Sequence, residues 1–92
     1  MVVGIRHKGL KRLFEKNDPS GIRSDLLDKI RTILAQLDAA ETIEDMRMTT
    51  FNLHSLKGDM KGIWSVTVRA NWRITFRFVD GNARDLELVD YH

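Results

Sequence analysis

The apolar residues of this chain change their period once, near Met48, and that change restricts the possible folds more than any other feature. Before it they recur at helical spacing. Leu10, Leu13 and Phe14 do so between His7 and Lys16. Leu26, Leu27, Ile30, Ile33, Leu34 and Leu37 then form one stripe, with Asp25, Asp28, Lys29, Arg31 and Gln36 on other faces. Asn17-Asp18-Pro19-Ser20-Gly21 separates the two predicted helices. Ser24 is the candidate N-cap of the second, and Asp25 and Asp28 suit its positive end. Thr42–Asp45 predicts a short helical turn.

After Met48 the period is two. Phe51 and Leu53 alternate with polar neighbours. Trp64, Val66 and Val68 lie opposite Ser65, Thr67 and Arg69, and Trp72, Ile74, Phe76 and Phe78 lie opposite Arg73, Thr75 and Arg77. Ala70-Asn71 predicts a turn and Asp80-Gly81-Asn82 a hairpin. Leu86 and Leu88 carry a last strand to Asp90-Tyr91-His92, and Val2–Ile5 predicts an edge strand. The order is strand, two helices, then an antiparallel meander, which gives an α+β class with helices packed on one face of an antiparallel sheet. The 92 residues contain no repeat or linker, so one domain is expected over 1–92. A domain this small buries roughly 60–65% of its unfolded surface, so its active site should be an open groove.

Several function classes drop out. There is no cysteine, which removes thiol catalysis and thiolate metal sites and points to a reducing compartment. The opening MVVGIRHKGL lacks an apolar signal core, and no apolar run could span a bilayer; the expectation is a cytoplasmic protein without a membrane partner. No phosphate-binding glycine loop, HExxH or GxSxG is present, and no carboxylate cluster suggests a metal nuclease. Neither metal nor cofactor is expected. The net charge of +2 says little, but its distribution is uneven. Between Phe51 and Arg77 the charges are Lys57, Asp59, Lys61, Arg69, Arg73 and Arg77; beyond Phe78, Asp80, Asp85, Glu87 and Asp90 face only Arg84. A basic central segment suits a polyanion.

If the two middle strands form a hairpin, Ser65, Thr67, Arg69, Arg73, Thr75 and Arg77 share an open face with three guanidiniums. Such groups can grip phosphate through paired donors, although a merely solvated strand face would carry charges too. His54 and Lys57 stand at the start of a loop containing Gly58 and Gly62. Histidine can act as acid or base near neutral pH, although a lone loop histidine is more often surface decoration. Asp90-Tyr91-His92 offers a carboxylate, a ring able to stack on a base, and a second imidazole, although chain ends usually fray. RNA can be cut without a metal when its own 2′-hydroxyl attacks the neighbouring phosphate. The protein then needs a base, an acid and cations, and this chain has candidates for each.

The run LHSLKGDMKGIWSVTVRANWRITF (53–76), the terminal DYH, the opening HKGLKRLFEK and the LDAA ending of the second helix closely resemble the HigB toxins of the RelE/ParE superfamily. That resemblance covers nearly the whole chain. It implies a RelE-like microbial ribonuclease fold, with N-terminal helices against a curved antiparallel sheet. It also implies a toxin that cleaves messenger RNA in the A site of the 70S ribosome. Neutralisation would come from a HigA-type helix-turn-helix antitoxin, and DNA would be met only through that partner. His54, Lys57, Asp90, Tyr91 and His92 match the family's catalytic positions. Arg69 and Arg73 match its RNA groove, and Asn71 its codon contact. Arg73 joins the catalytic set as a phosphate stabiliser; Arg77 and Lys61 join the RNA-binding set. His92 is the first choice for proton transfer, with His54 and Asp90 assisting and Tyr91 placing the nucleotide. His7 matches no such position and reads as surface. The rival readings are a ParE-like inhibitor of DNA gyrase, a non-catalytic RNA-binding domain and a metal nuclease. The two histidines and the DYH tail argue against a pure binder.

Overall fold

A computed structural model describes residues 1–91, and the predicted His92 site lies outside them. Helix α1 spans Lys8–Lys16 and α2 spans Leu27–Ala39; strands β1 (His54–Ser55), β2 (Trp64–Arg69), β3 (Trp72–Val79) and β4 (Asn82–Asp90) follow. The strands form one antiparallel sheet in the order β1-β2-β3-β4, the expected meander. Both helices pack on one face of it, as the α+β reading requires.

Helical spacing builds the core from above and strand alternation builds it from below. Leu10 and Leu13 of α1 and Ile30, Ile33, Leu34 and Leu37 of α2 are buried against Val66, Ile74, Phe76 and Leu86 of the sheet. Each such side chain contributes about 1.5–3 kcal/mol relative to an exposed one. Gly9 lets α1 meet the following loop: a Cβ there would stand 2.3 Å from the Gly21 carbonyl oxygen.

Three local expectations change. Ser24 caps nothing through its side chain; it begins a 3-10 turn, Ser24–Leu26, that leads into α2. Phe51 lies in the 3-10 turn Thr49–Phe51, not in a strand, because its ring plugs the core at 1% exposure; β1 starts only at His54. Val2–Ile5 runs parallel to β4 and meets it in two isolated bridges, Val2 with Ala83 and Ile5 with Leu86. Between those bridges Asp85 has φ +56° and turns the β4 backbone, so no continuous ladder forms. The segment still covers the β4 edge, through Val3 N–H to Ala83 carbonyl (2.8 Å) and Arg6 N–H to Leu86 carbonyl (2.9 Å). No helix among the described residues is long and apolar enough to cross a membrane.

Candidate active site

Strand register decides which side chains share the open face. His54 pairs with Ser65, Ser65 with Thr75, and Thr75 with Glu87, so one row crosses all four strands. The next row holds Thr67, Arg73 and Val89. At the usual strand spacing, the Cα atoms of His54 and Arg73 are roughly 12 Å apart. The face is therefore wide enough for an extended strand of nucleic acid, but Ser65 and Thr75 in the middle of it are buried, at 5% and 6% exposure, and not open as their alternation suggested.

His54 is exposed, and its Nδ1 lies 2.8 Å from the Asn52 carbonyl oxygen. A carbonyl can only accept, so Nδ1 carries the proton in this bond and the neutral ring leaves a lone pair on Nε2. Asn52 reaches this geometry in the left-handed region (φ +50°), which asparagine tolerates better than most residues. Lys57 caps a 3-10 turn, Gly58–Met60, in the β1–β2 loop. Lys57 and Lys61 line a depression of about 450 Å³ beside Trp64. Both lysines are exposed, and neither they nor Arg73 pairs with a carboxylate among the described residues.

Arg73 folds over the β2–β3 turn, where its Nη1 donates to the Ala70 carbonyl at 2.6 Å and the Trp72 carbonyl at 3.2 Å. The same turn holds the tail. Asp90 pairs with Trp72, and the Tyr91 N–H donates to the Asn71 carbonyl at 2.9 Å. The tail through Tyr91 therefore lies beside the arginine hairpin. The pairing of Asp90 with Trp72 sets it on the helix-facing side of β4, whereas Tyr91 lines the open groove.

Arg69 does not share that open face. A bulge between Thr67 and Arg69 shifts the register, so Arg69 stands opposite Trp72 and its Nη1 lies 3.6 Å from Asp25. Asp25 also receives Arg23 at 3.0 and 2.7 Å, and the Arg23 guanidinium sits 5.6 Å from the Trp72 ring centre. Hydrogen bonding from Arg23 holds the Asp25 carboxyl below its ordinary pKa. Strict alternation cannot reveal such a bulge, because one extra residue reverses every face beyond it.

Arg77 remains on the groove side, and its neighbours include groups that periodicity did not single out. Its Nε lies 3.7 Å from Asp85, and Arg6 Nε lies 3.3 Å from the other Asp85 oxygen. With Thr75, Glu87, Tyr91, Met60 and Ile63 these residues line a groove of about 470 Å³. The loop lies close over it: a Cβ on Gly62, at φ +90°, would meet Arg77 Nη1 at 3.0 Å. Glu87 was legible as the outward residue between Leu86 and Leu88. Arg6 carried no signal, because only the parallel docking of the N-terminal segment brings it here. No three metal-ligating side chains come together among the described residues.

The family model for the HigB-like toxin, described as the RelE-like toxin of the type II toxin–antitoxin system HigB, matches residues 4–92. The chain is 48% identical over 92 residues, the whole of both chains, to Endoribonuclease HigB of Proteus vulgaris. It is 32% identical over 89 residues, 90% of each chain, to Toxin HigB-1 of Vibrio cholerae. In fold it is similar to a chain of the heterotetrameric YoeB–YefM toxin–antitoxin complex of Staphylococcus aureus, with a TM-score of 0.63, 14% identity and coverage of 100% of this chain and 95% of that one. Sequence along the full length and the two-helix, four-strand architecture agree, and the chain belongs to the RelE-like HigB toxin family of type II toxin–antitoxin systems.

Proposed function

We propose that this HigB-type endoribonuclease toxin cuts messenger RNA in the ribosomal A site, using protein groups alone and the RNA's own 2′-hydroxyl as nucleophile. The O2′–P bond forms and the P–O5′ bond breaks, leaving a cyclic phosphate and a 5′-hydroxyl. His92 and the free Nε2 of His54 are the proton-transfer pair, one taking the 2′-hydroxyl proton and the other supplying the leaving oxygen. Lys57 and Arg73 stabilise the charge that develops on phosphorus oxygens. Lys61 and Arg77 hold the flanking RNA, Asn71 meets a codon base, and Asp90 orients the tail. Arg69 contributes only long-range attraction, since the bulge turns it off the open face.

The observation that carries this reading is the Tyr91 N–H to Asn71 carbonyl bond, which keeps the tail at the arginine hairpin on the sheet that presents His54. A HigA-type antitoxin is the expected neutralising partner, and the cytoplasm is where ribosomes would be met. Primer extension on messages after induction tests the proposal. The parent protein should give discrete cuts; His54→Ala and His92→Gln should each slow them by about 100-fold or more. Gyrase inhibition with the messages intact would replace it with a binding toxin.

A further inference from the structure

We infer that the groove lined by Glu87 is a nucleobase subsite that selects bases carrying an exocyclic amino group. The inference rests on the nuclease reading above and assigns a specificity-determining residue to the same site. Four charged side chains line the groove, and Arg6 and Arg77 offset Asp85 and Glu87, so their charges sum to zero. Asp85 already lies against both arginines, at 3.3 and 3.7 Å. Glu87 has no ion pair among the described residues and is half-buried opposite Thr75. A phosphate placed here would enter a groove without net positive charge, beside a Glu87 carboxylate that has no ion pair of its own among the described residues. Lys57, Lys61 and Arg73, none of them paired with a carboxylate among the described residues, stand elsewhere on the face, where a phosphate is better served.

A flat ring with amino donors fits the groove much better. Its volume of about 470 Å³ falls within the size of small-ligand sites, about 300–1,000 Å³. Tyr91, 41% exposed, offers an aromatic face, and Met60 and Ile63 offer apolar contact. An ionised carboxylate only accepts hydrogen bonds. Adenine, cytosine and guanine present an amino group to it. Uracil presents carbonyl oxygens on either side of its single N–H and is repelled.

The test uses the full-length toxin on ribosomes programmed with messages that vary one A-site codon position at a time through A, C, G and U. The parent should cut amino-bearing bases over uracil by about tenfold or more at one position, the discrimination of one good base contact. Glu87→Gln, whose amide can also donate to a uracil carbonyl, should bring that ratio close to one while the preferences at the other positions persist. Glu87→Ala should do the same if the glutamine variant folds poorly, as judged by its melting temperature. A ratio unchanged in folded Glu87→Gln, or a parent that shows no discrimination against uracil anywhere, overturns the inference and leaves the nuclease standing. A parent that cuts no message at all removes the nuclease and the subsite with it.

Discussion

The amide of Tyr91 donates to the carbonyl of Asn71 at 2.9 Å, joining the residue that follows β4 to the turn between β2 and β3. A chain end without such a bond would fray, and its groups would be poorly placed for chemistry. Tyr91→Ala keeps the amide and loses the ring, whereas Tyr91→Pro loses both. A hydrogen bond of this kind is worth about 0.5–1.5 kcal/mol. The proline variant should therefore cleave several-fold more slowly than the alanine variant in a single-turnover ribosomal assay. Equal rates would mean that anchoring the tail adds nothing.

Asp85 joins Arg6 of the N-terminal segment to Arg77 of β3. It sits at φ +56°, a conformation that asparagine also tolerates, so Asp85→Asn removes the charge without new backbone strain. Two guanidiniums are then released toward the RNA. Affinity for a single-stranded oligonucleotide should rise several-fold at low salt, and log affinity should fall more steeply with log salt. Fluorescence anisotropy at two salt concentrations measures both; an unchanged slope would show that neither arginine reaches the phosphates.

His7, read from the sequence as surface, is the N-cap of α1: its Nδ1 accepts the Leu10 N–H at 3.2 Å. His7→Ala should lower stability by about 1 kcal/mol, and His7→Ser should recover most of that, because serine supplies an acceptor at the same place. Urea denaturation reads the difference directly. An alanine variant as stable as the parent would reduce the contact to coincidence.

Acid should destabilise the fold through exposed carboxylates. Asp18 is held below its ordinary pKa chiefly by the Ser20 backbone N–H, Asp25 and Glu44 by Arg23 and Arg47, and Asp45 by the backbone N–H groups of Glu41 and Thr42. Because the folded values are depressed, the unfolded chain takes up protons first as pH falls. The stability these groups contribute is complete above the ordinary values of 3.8 for aspartate and 4.5 for glutamate, and is lost as pH drops through the lower folded values. Melting temperature should hold steady down to about pH 5 and fall below it. Asp45→Asn should flatten part of that fall, since its partners at 2.8 and 3.1 Å would no longer depend on a charge.

Local pattern was enough for the helices, the meander and most of the core. One stripe along α2 and one alternating face on β3 each have a single way to leave water, so Ile30, Ile33, Leu37, Ile74 and Phe76 could be placed inside from their spacing alone. The same logic placed Arg73 and Arg77 on the wet side, but it also put Ser65 and Thr75 there, and both are buried. It could not see the two β-bulges, one turning Arg69 toward Asp25 and the other turning Asp85 into the groove, because a bulge is a register property of two strands. Nor could it bring Arg6 to Asp85, which requires a parallel contact between the first residues and the last strand. Period and polarity are properties of neighbours along the chain, and they determined which faces are wet. Which charged groups meet across those faces depends on pairing between distant segments, and only the folded sheet decided it.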